Sequence, residues 1–193
     1  MFVLVENDSI TKTVQSNRGI TIGENQYPRA IYTSWSPAER EAIGIYEVVY
    51  DNSNFKDQQY YINTNQSLAF ADGVATASYG SATANALADV PEDGVTTPGC
   101  KTKKKVDSKK QASSLLTPTD WYVVKATEIE SYSVPADTTT YRANVRTRSN
   151  EMEVLIDACS TVDELAALYA YVNTGTEENP VMERPLGEFP EAV

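Results

Sequence analysis

The sequence predicts an α+β protein with four parts. These are an N-terminal antiparallel β-rich module over residues 1–90, a linker over 91–100, a C-terminal helical module over 101–175 containing an α-hairpin, and an extended acidic tail over 176–193. Three observations predict it. Before residue 90, short β-branched and aromatic runs alternate with turn clusters and helix signals are scarce. Near residue 90 the composition shifts to breakers, and then Lys101 to Leu116 runs without Gly or Pro. From Asp137 to Cys159 the apolar residues Tyr141, Val145, Met152, Leu155, Ile156 and Cys159 follow a period close to 3.6.

The β elements follow in order. Phe2 to Val5 reads as a strand, Glu6 to Ser9 as a turn, and Ile10 to Val14 as the returning strand of a hairpin. Gly19 to Gly23 and Ile31-Tyr32-Thr33 read as further short strands. One helix interrupts them. Ser36 fits its N-cap, Pro37 its first position, Glu39 the reciprocal partner of a capping box and Gly44 the left-handed position after its end. Its few apolar residues suit packing on a sheet edge. Ile45 to Tyr50, Tyr60 to Ile62, Ser67 to Phe70 and Val74 to Tyr79 are strands, the last two joined by Asp72-Gly73, the best hairpin signal in the chain.

Pro91-Glu92-Asp93-Gly94 and Thr96-Thr97-Pro98-Gly99 form the breaker-rich linker. The helix from Lys101 stops before Pro118, and Asp120 to Val124 is a short apolar segment at the next corner. The helix from Asp137 to Cys159 would be roughly 33 Å long. Thr161 and Glu164 make a second capping box, after which Leu165, Leu168, Tyr169 and Val172 share a face up to Gly175. Two helices joined through Ser160-Thr161 predict the α-hairpin. The tail holds five acidic residues and three prolines, too little to bury a core, and reads as extended or bound to a neighbour.

Charge and composition exclude several functions. The chain has 193 residues, 16 Lys+Arg against 27 Asp+Glu, a net charge of −11 and no histidine. Nucleophile systems and zinc sites that need imidazole are therefore ruled out. Cys100 and Cys159 are too few for a four-thiolate zinc site and too far apart for C-x-x-C. They read as free thiols of a reducing cytoplasm. The acidic balance opposes general binding to nucleic acid or anionic membrane. No basic n-region opens the chain, and no apolar run approaches the ~20 residues that span a bilayer. No glycine-rich nucleotide motif or EF-hand loop occurs, so no cofactor or metal is expected.

Several clusters remain as candidates. Lys101, Lys103, Lys104, Lys105, Lys109 and Lys110 surround one Asp107, giving residues 101–110 a charge of 6 − 1 = +5. They suit contact with phosphate or an acidic partner, or, as the favoured reading, a solvated face paired with the chain's own carboxylates. No aromatic interleaves them, which argues against a single-stranded nucleic-acid platform. Arg142 and Arg146 share a helix face at i, i+4, placed to clamp a partner carboxylate or to form the exposed side of the helix. Glu153 and Asp157 are similarly spaced, but a glycan hydrolase needs two carboxylates ~5–9.5 Å apart in a cleft. Trp35 and Trp121 sit beside turns, and with 12 tyrosines they suit interfaces or half-buried strand ends.

Two segments carry a resemblance. Tyr27-Pro28, Trp35-Ser36-Pro37-Ala38-Glu39, Ile43-Gly44-Ile45 and Val48 form the first. Ala112, Leu115-Leu116, Thr119-Asp120-Trp121, Tyr141-Arg142 and Val145-Arg146 form the second. Together they resemble small tail-associated proteins of tailed bacteriophages, including tail-fibre assembly proteins and related virion components. The resemblance implies a β-rich N-terminal module, a helical C-terminal module and no catalytic residue. It makes the Trp, Leu and Arg positions packing and interface positions. The expected function is that of a virion structural protein of the tail or tail fibre, assembled in the host cytoplasm. It would act through contact with other virion proteins and with copies of itself, and not on a small-molecule substrate. An assembly chaperone and, more remotely, a carboxylate-based glycan hydrolase are the alternatives. The candidate interface residues are Trp35, Lys101, Lys103, Lys104, Lys105, Trp121, Arg142 and Arg146.

Overall fold

Phe2 to Val5 is an unbroken apolar run, and the fold shows why. In the computed structural model, which describes residues 1–192, β1 (Phe2–Glu6) is buried on both faces. Leu4 joins Val14, Ile20, Ile31, Tyr32 and Ile45 on one side. Val3 and Val5 join Val48, Ala75 and Ala77 on the other. Side chains alternate across a strand, so a run that must fill both sides cannot alternate in polarity.

The chain divides into two compact units, Met1–Thr83 and Ala84–Val193. The first holds β1, β2 (Ser9–Val14), β3 (Ile20–Ile22), β4 (Asn25–Tyr27), α1 (Ile31–Ser34), α2 (Pro37–Glu41), β5 (Ile45–Asp51), β6 (Tyr61–Ile62), β7 (Gln66–Ala71) and β8 (Val74–Tyr79). The two-residue strand β9 (Thr83–Ala84) stands at the boundary. The main sheet runs β2-β1-β5-β8-β7. It is not wholly antiparallel: β5 and β8 pair in parallel, Val48 beside Ala75 through Asp51 beside Ser78. β8 must run against β7, its hairpin partner, and that leaves it aligned with β5. The sheet curls enough to bring its edge strands β2 and β7 near one another without hydrogen bonding them.

The turns obey local chemistry. Asn7 and Asp8, at φ 51° and 57°, close β1 on β2. Asp72 and Gly73, at φ 50° and 76°, close β7 on β8 as the Asp-Gly signal predicts. Ile31 and Tyr32 do not form a strand. Hydrogen bonds from Ile31 N to Pro28 O and from Tyr32 N to Arg29 O start a helical turn. A strand would send these neighbours to opposite faces, whereas the turn puts both into one cluster. α2 has its capping box and Gly44 follows at φ 80°, as read. Its buried residue is Arg40, whose Nη1 donates to Trp35 O at 2.5 Å and whose guanidinium lies 5.2 Å over the Phe2 ring.

The second unit holds β10 (Val90–Glu92), β11 (Val95–Thr97), α3 (Cys100–Leu116), a 3₁₀ turn at Thr117–Thr119, α4 (Asp120–Glu128), α5 (Ala136–Ala158), α6 (Val162–Ala167), β12 (Val172–Asn173) and β13 (Met182–Glu183). The expected linker contains a hairpin: Asp93 and Gly94, at φ 48° and 79°, close β10 on β11. The same dipeptide that marks β7–β8 recurs here between two prolines.

α5 begins and ends within a residue of its predicted bounds, but α3, and not α6, packs along it. Ala112 of α3 meets Tyr141 and Val145 of α5, flanked by Leu115, Leu116 and Phe189. The α-hairpin through Ser160-Thr161 is therefore not the pairing that forms. α6 keeps its capping box but stops at Ala167, well before Gly175. The Leu168 carbonyl accepts from Leu186 N at 2.9 Å, and the chain then turns into β12. The tail consequently folds back. β13 pairs with β12, Leu186 is 1% exposed, and Arg148 donates to the Leu186 carbonyl. Leu186, with Phe189 packed on the Ala112 cluster, anchors it.

The start of α3 is capped from a distance. Gly99 at the N-cap has no side chain, and the first N–H groups of a helix lack partners within it. Cys100 N donates to Ala86 O at 2.8 Å, Lys101 N to Leu87 O at 3.0 Å and Gly99 N to Asp89 Oδ1 at 2.8 Å. The Thr102 hydroxyl and then the Gly99 amide hold the Asp89 carboxyl below its ordinary value. A carboxylate with a lowered folded-state pKa supplies stability above its unfolded value, about 3.9, and loses it as pH falls through the folded one. Melting temperature should therefore fall on acidification below about pH 4, and by less in Asp89→Asn. Thermal melts of both proteins between about pH 2 and 5 check this.

Candidate functional site

Of the six lysines in the cluster, three turn to α5. Lys105 Nζ lies 2.8 Å from Asp157 Oδ1 and 3.1 Å from Oδ2. That hydrogen bond raises the Lys105 pKa. Lys101 Nζ donates to the Asp157 carbonyl at 2.9 Å, and Lys109 pairs with Glu153 at 3.0 Å. Lys104 Nζ sits 4.5 Å over the Tyr169 ring. Lys103 is exposed. The +5 stretch thus meets the acidic residues of the neighbouring helix. Glu153 and Asp157, the spacing weighed for hydrolysis, serve as its partners.

Arg142 and Arg146 share a face but not a role. Arg142 is 8% exposed, so it does not lie on an exposed side of the helix. Its Nη1 donates to Leu116 O at 3.0 Å and Thr119 Oγ1 at 2.6 Å, and its Nη2 pairs with Asp120 at 2.8 Å. It ties the bend between α3 and α4 to α5. Arg146 is exposed and donates to the Arg142 carbonyl at 3.4 Å. Trp35 is half-buried, edge-on to Tyr27 with centroids 5.9 Å apart, and packs on the Leu4 cluster.

Trp121 differs from all of these. It lies on α4, and none of the nine residues of that helix is buried. Trp121 and Val124 are each 52% exposed. The Trp121 and Tyr122 rings approach to 3.8 Å, and Lys125 Nζ stands 5.7 Å over Trp121 and 4.3 Å over Tyr132. Sequence reasoning placed Trp121 in a corner segment and missed the helix. Asp120 in its first turn and Lys125 in its last were the available signals.

Between α3 and α5 runs an open groove of about 450 Å³, lined by Lys109, Asp120, Arg142, Arg146, Asn150 and Glu153 among others. Lys109 with Glu153 and Arg142 with Asp120 already meet one another there, and Arg146 reaches only the Arg142 carbonyl. Among the described residues, no group of three or more His, Cys, Asp or Glu stands where it could hold a metal ion. No helix among them is long and apolar enough to cross a membrane. No protein-family model matches the chain, and comparison with curated proteins and with solved structures likewise returned no match.

Proposed function

We propose that the chain is a structural protein of a tailed-bacteriophage virion, of the tail or tail fibre, that works through contact with neighbouring virion proteins and with copies of itself. The observation that carries this reading is α4, nine residues with Trp121, Val123 and Val124 exposed and none buried. A helix this short is marginal in water, and its stability comes from what covers its apolar face. Tyr and Trp are the residues that anchor protein interfaces. The resemblance of residues 27–48 and 112–146 to tail-associated phage proteins supports the same reading.

The test is mass spectrometry of purified particles of the encoding phage. The protein should be present in mature virions. Its absence from them, together with co-purification with a fibre protein on co-expression, would replace this reading with that of an assembly chaperone.

A second measurement separates contact from core. Trp121→Ala should cost the isolated chain about 1 kcal/mol or less in denaturant unfolding, because half the ring is already in water. The same change should abolish incorporation into particles. A loss of roughly 3–5 kcal/mol would instead mark Trp121 as a core residue.

A further inference from the structure

Several of the chain's 16 Lys and Arg residues are held in ion pairs. Arg40, Lys105, Lys109, Arg142, Arg148 and Arg184 each meet a carboxylate. Lys12 and Arg18, like Arg29, Lys103 and Lys110, do not. Among the described residues, neither side chain has an ion pair or a hydrogen bond. Both line one cavity of about 360 Å³, formed where β2 turns into β3, together with Thr13, Gln15, Gly19 and Thr21. No carboxylate lines it, in a chain with 27 acidic residues.

Lys12 is exposed on β2, an edge strand of the sheet. It lies on the same side of β2 as Val14, which is buried, and opposite Leu4, also buried. That side of a strand ordinarily carries an apolar residue. With Arg18, Lys12 puts two cations that lack counter-charges around one pocket of an acidic protein.

We propose that this cavity binds a phosphate group, as free phosphate or as a phosphate monoester. The charge count favours phosphate over a carboxylate. A phosphate monoester carries about −1.5 to −2 near neutral pH and balances both cations, whereas a single carboxylate leaves one of them unmatched. The Arg18 guanidinium offers a planar pair of N–H donors, Lys12 a mobile ammonium, and Gln15 and Thr21 supply neutral donors within the same lining. The cavity has room for a tetrahedral oxyanion and accompanying water. This site lies wholly in the first unit and does not depend on the contact role of α4 in the second.

Calorimetric titration of the full chain with inorganic phosphate, in a buffer free of other oxyanions, tests the proposal. Saturable binding of one phosphate per chain is expected. Glycerol phosphate should bind comparably, and acetate at least about tenfold more weakly. Lys12→Gln/Arg18→Gln should weaken phosphate binding by at least about tenfold, with an unchanged circular dichroism spectrum because both side chains are exposed. Lys103→Gln/Lys110→Gln should leave binding unaltered. If the double variant misfolds, the single changes Lys12→Gln and Arg18→Gln must each weaken binding. No saturable phosphate binding, equal affinity for acetate, or undiminished binding in the folded double variant would overturn the proposal.

Discussion

Gly99→Ala is expected to destabilise the second unit by about 3 kcal/mol or more. A Cβ on Gly99 would press into the Ala88 carbonyl and stand 2.7 Å from the Leu87 oxygen. These are backbone atoms, and they cannot step aside as a flexible side chain would. The same stretch accepts the N–H groups of Cys100 and Lys101 and, through Asp89, that of Gly99. Moving it breaks the cap of α3, and an unsatisfied buried donor costs about 1–3 kcal/mol. Backbone overpacking adds a similar amount. Chemical denaturation of Gly99→Ala beside Gly94→Ala checks the argument. Gly94 has open space around a would-be Cβ but φ 79°, so its cost is conformational alone and smaller, about 1 kcal/mol. Equal losses in the two variants would refute the close-approach account.

Arg142→Met is the second large effect, expected at about 2–4 kcal/mol. Methionine keeps the aliphatic stem against α5 but removes every donor. The Leu116 carbonyl and the Thr119 hydroxyl lose the guanidinium donor and keep only their bond to each other at 2.7 Å, and Asp120 loses its counter-charge. The first two sites are partly or fully buried, so water replaces the guanidinium poorly there. Asp120 is more than half exposed and contributes little on its own. Arg142→Lys should recover only part of the loss, because an ammonium cannot reproduce the planar fork. Arg146→Met, on the exposed neighbour of the same face, should change stability by about 0.5 kcal/mol or less. Urea unfolding of the three variants measures this series.

The local features of the fold were legible in the sequence. The capping boxes at Ser36 and Thr161 formed as read, because each is complete within four consecutive residues. The helix over Ala136–Ala158 and the Asp72-Gly73 hairpin are likewise short-range patterns. Failures occurred where a remote partner decides. Whether α5 pairs with α3 or α6 depends on which apolar face meets Tyr141 and Val145. The parallel pairing of β5 with β8 depends on where the β7–β8 hairpin docks. Leu186 anchors the tail through a site built by residues far from it in sequence.

The candidate surface residues separated for the same reason. A lysine or arginine in a sequence shows its charge but not its counter-ion. Lys105 and Arg142 have theirs inside the second unit, whereas Lys12 and Arg18, which no local pattern singled out, lack one. Trp121 was singled out as an aromatic beside a turn. Its exposure on an unpacked helix could not be read from its neighbours.

The double-sided burial of β1 bears on how the first unit reaches its folded state. β1 leaves the ribosome before β5 and β8, yet Val3 and Val5 find Val48 only with β5, and Ala75 and Ala77 only with β8. At about 5–20 residues per second, the early β1–β2 hairpin waits roughly 3–15 seconds for its covering strands. During that interval one apolar face of a central strand stays open to solvent, to chaperones or to a neighbouring nascent chain. Assembly of the first unit is therefore governed by long-range strand closure and not by its hairpins. Truncation anywhere before Tyr79 would leave β1 permanently half-covered.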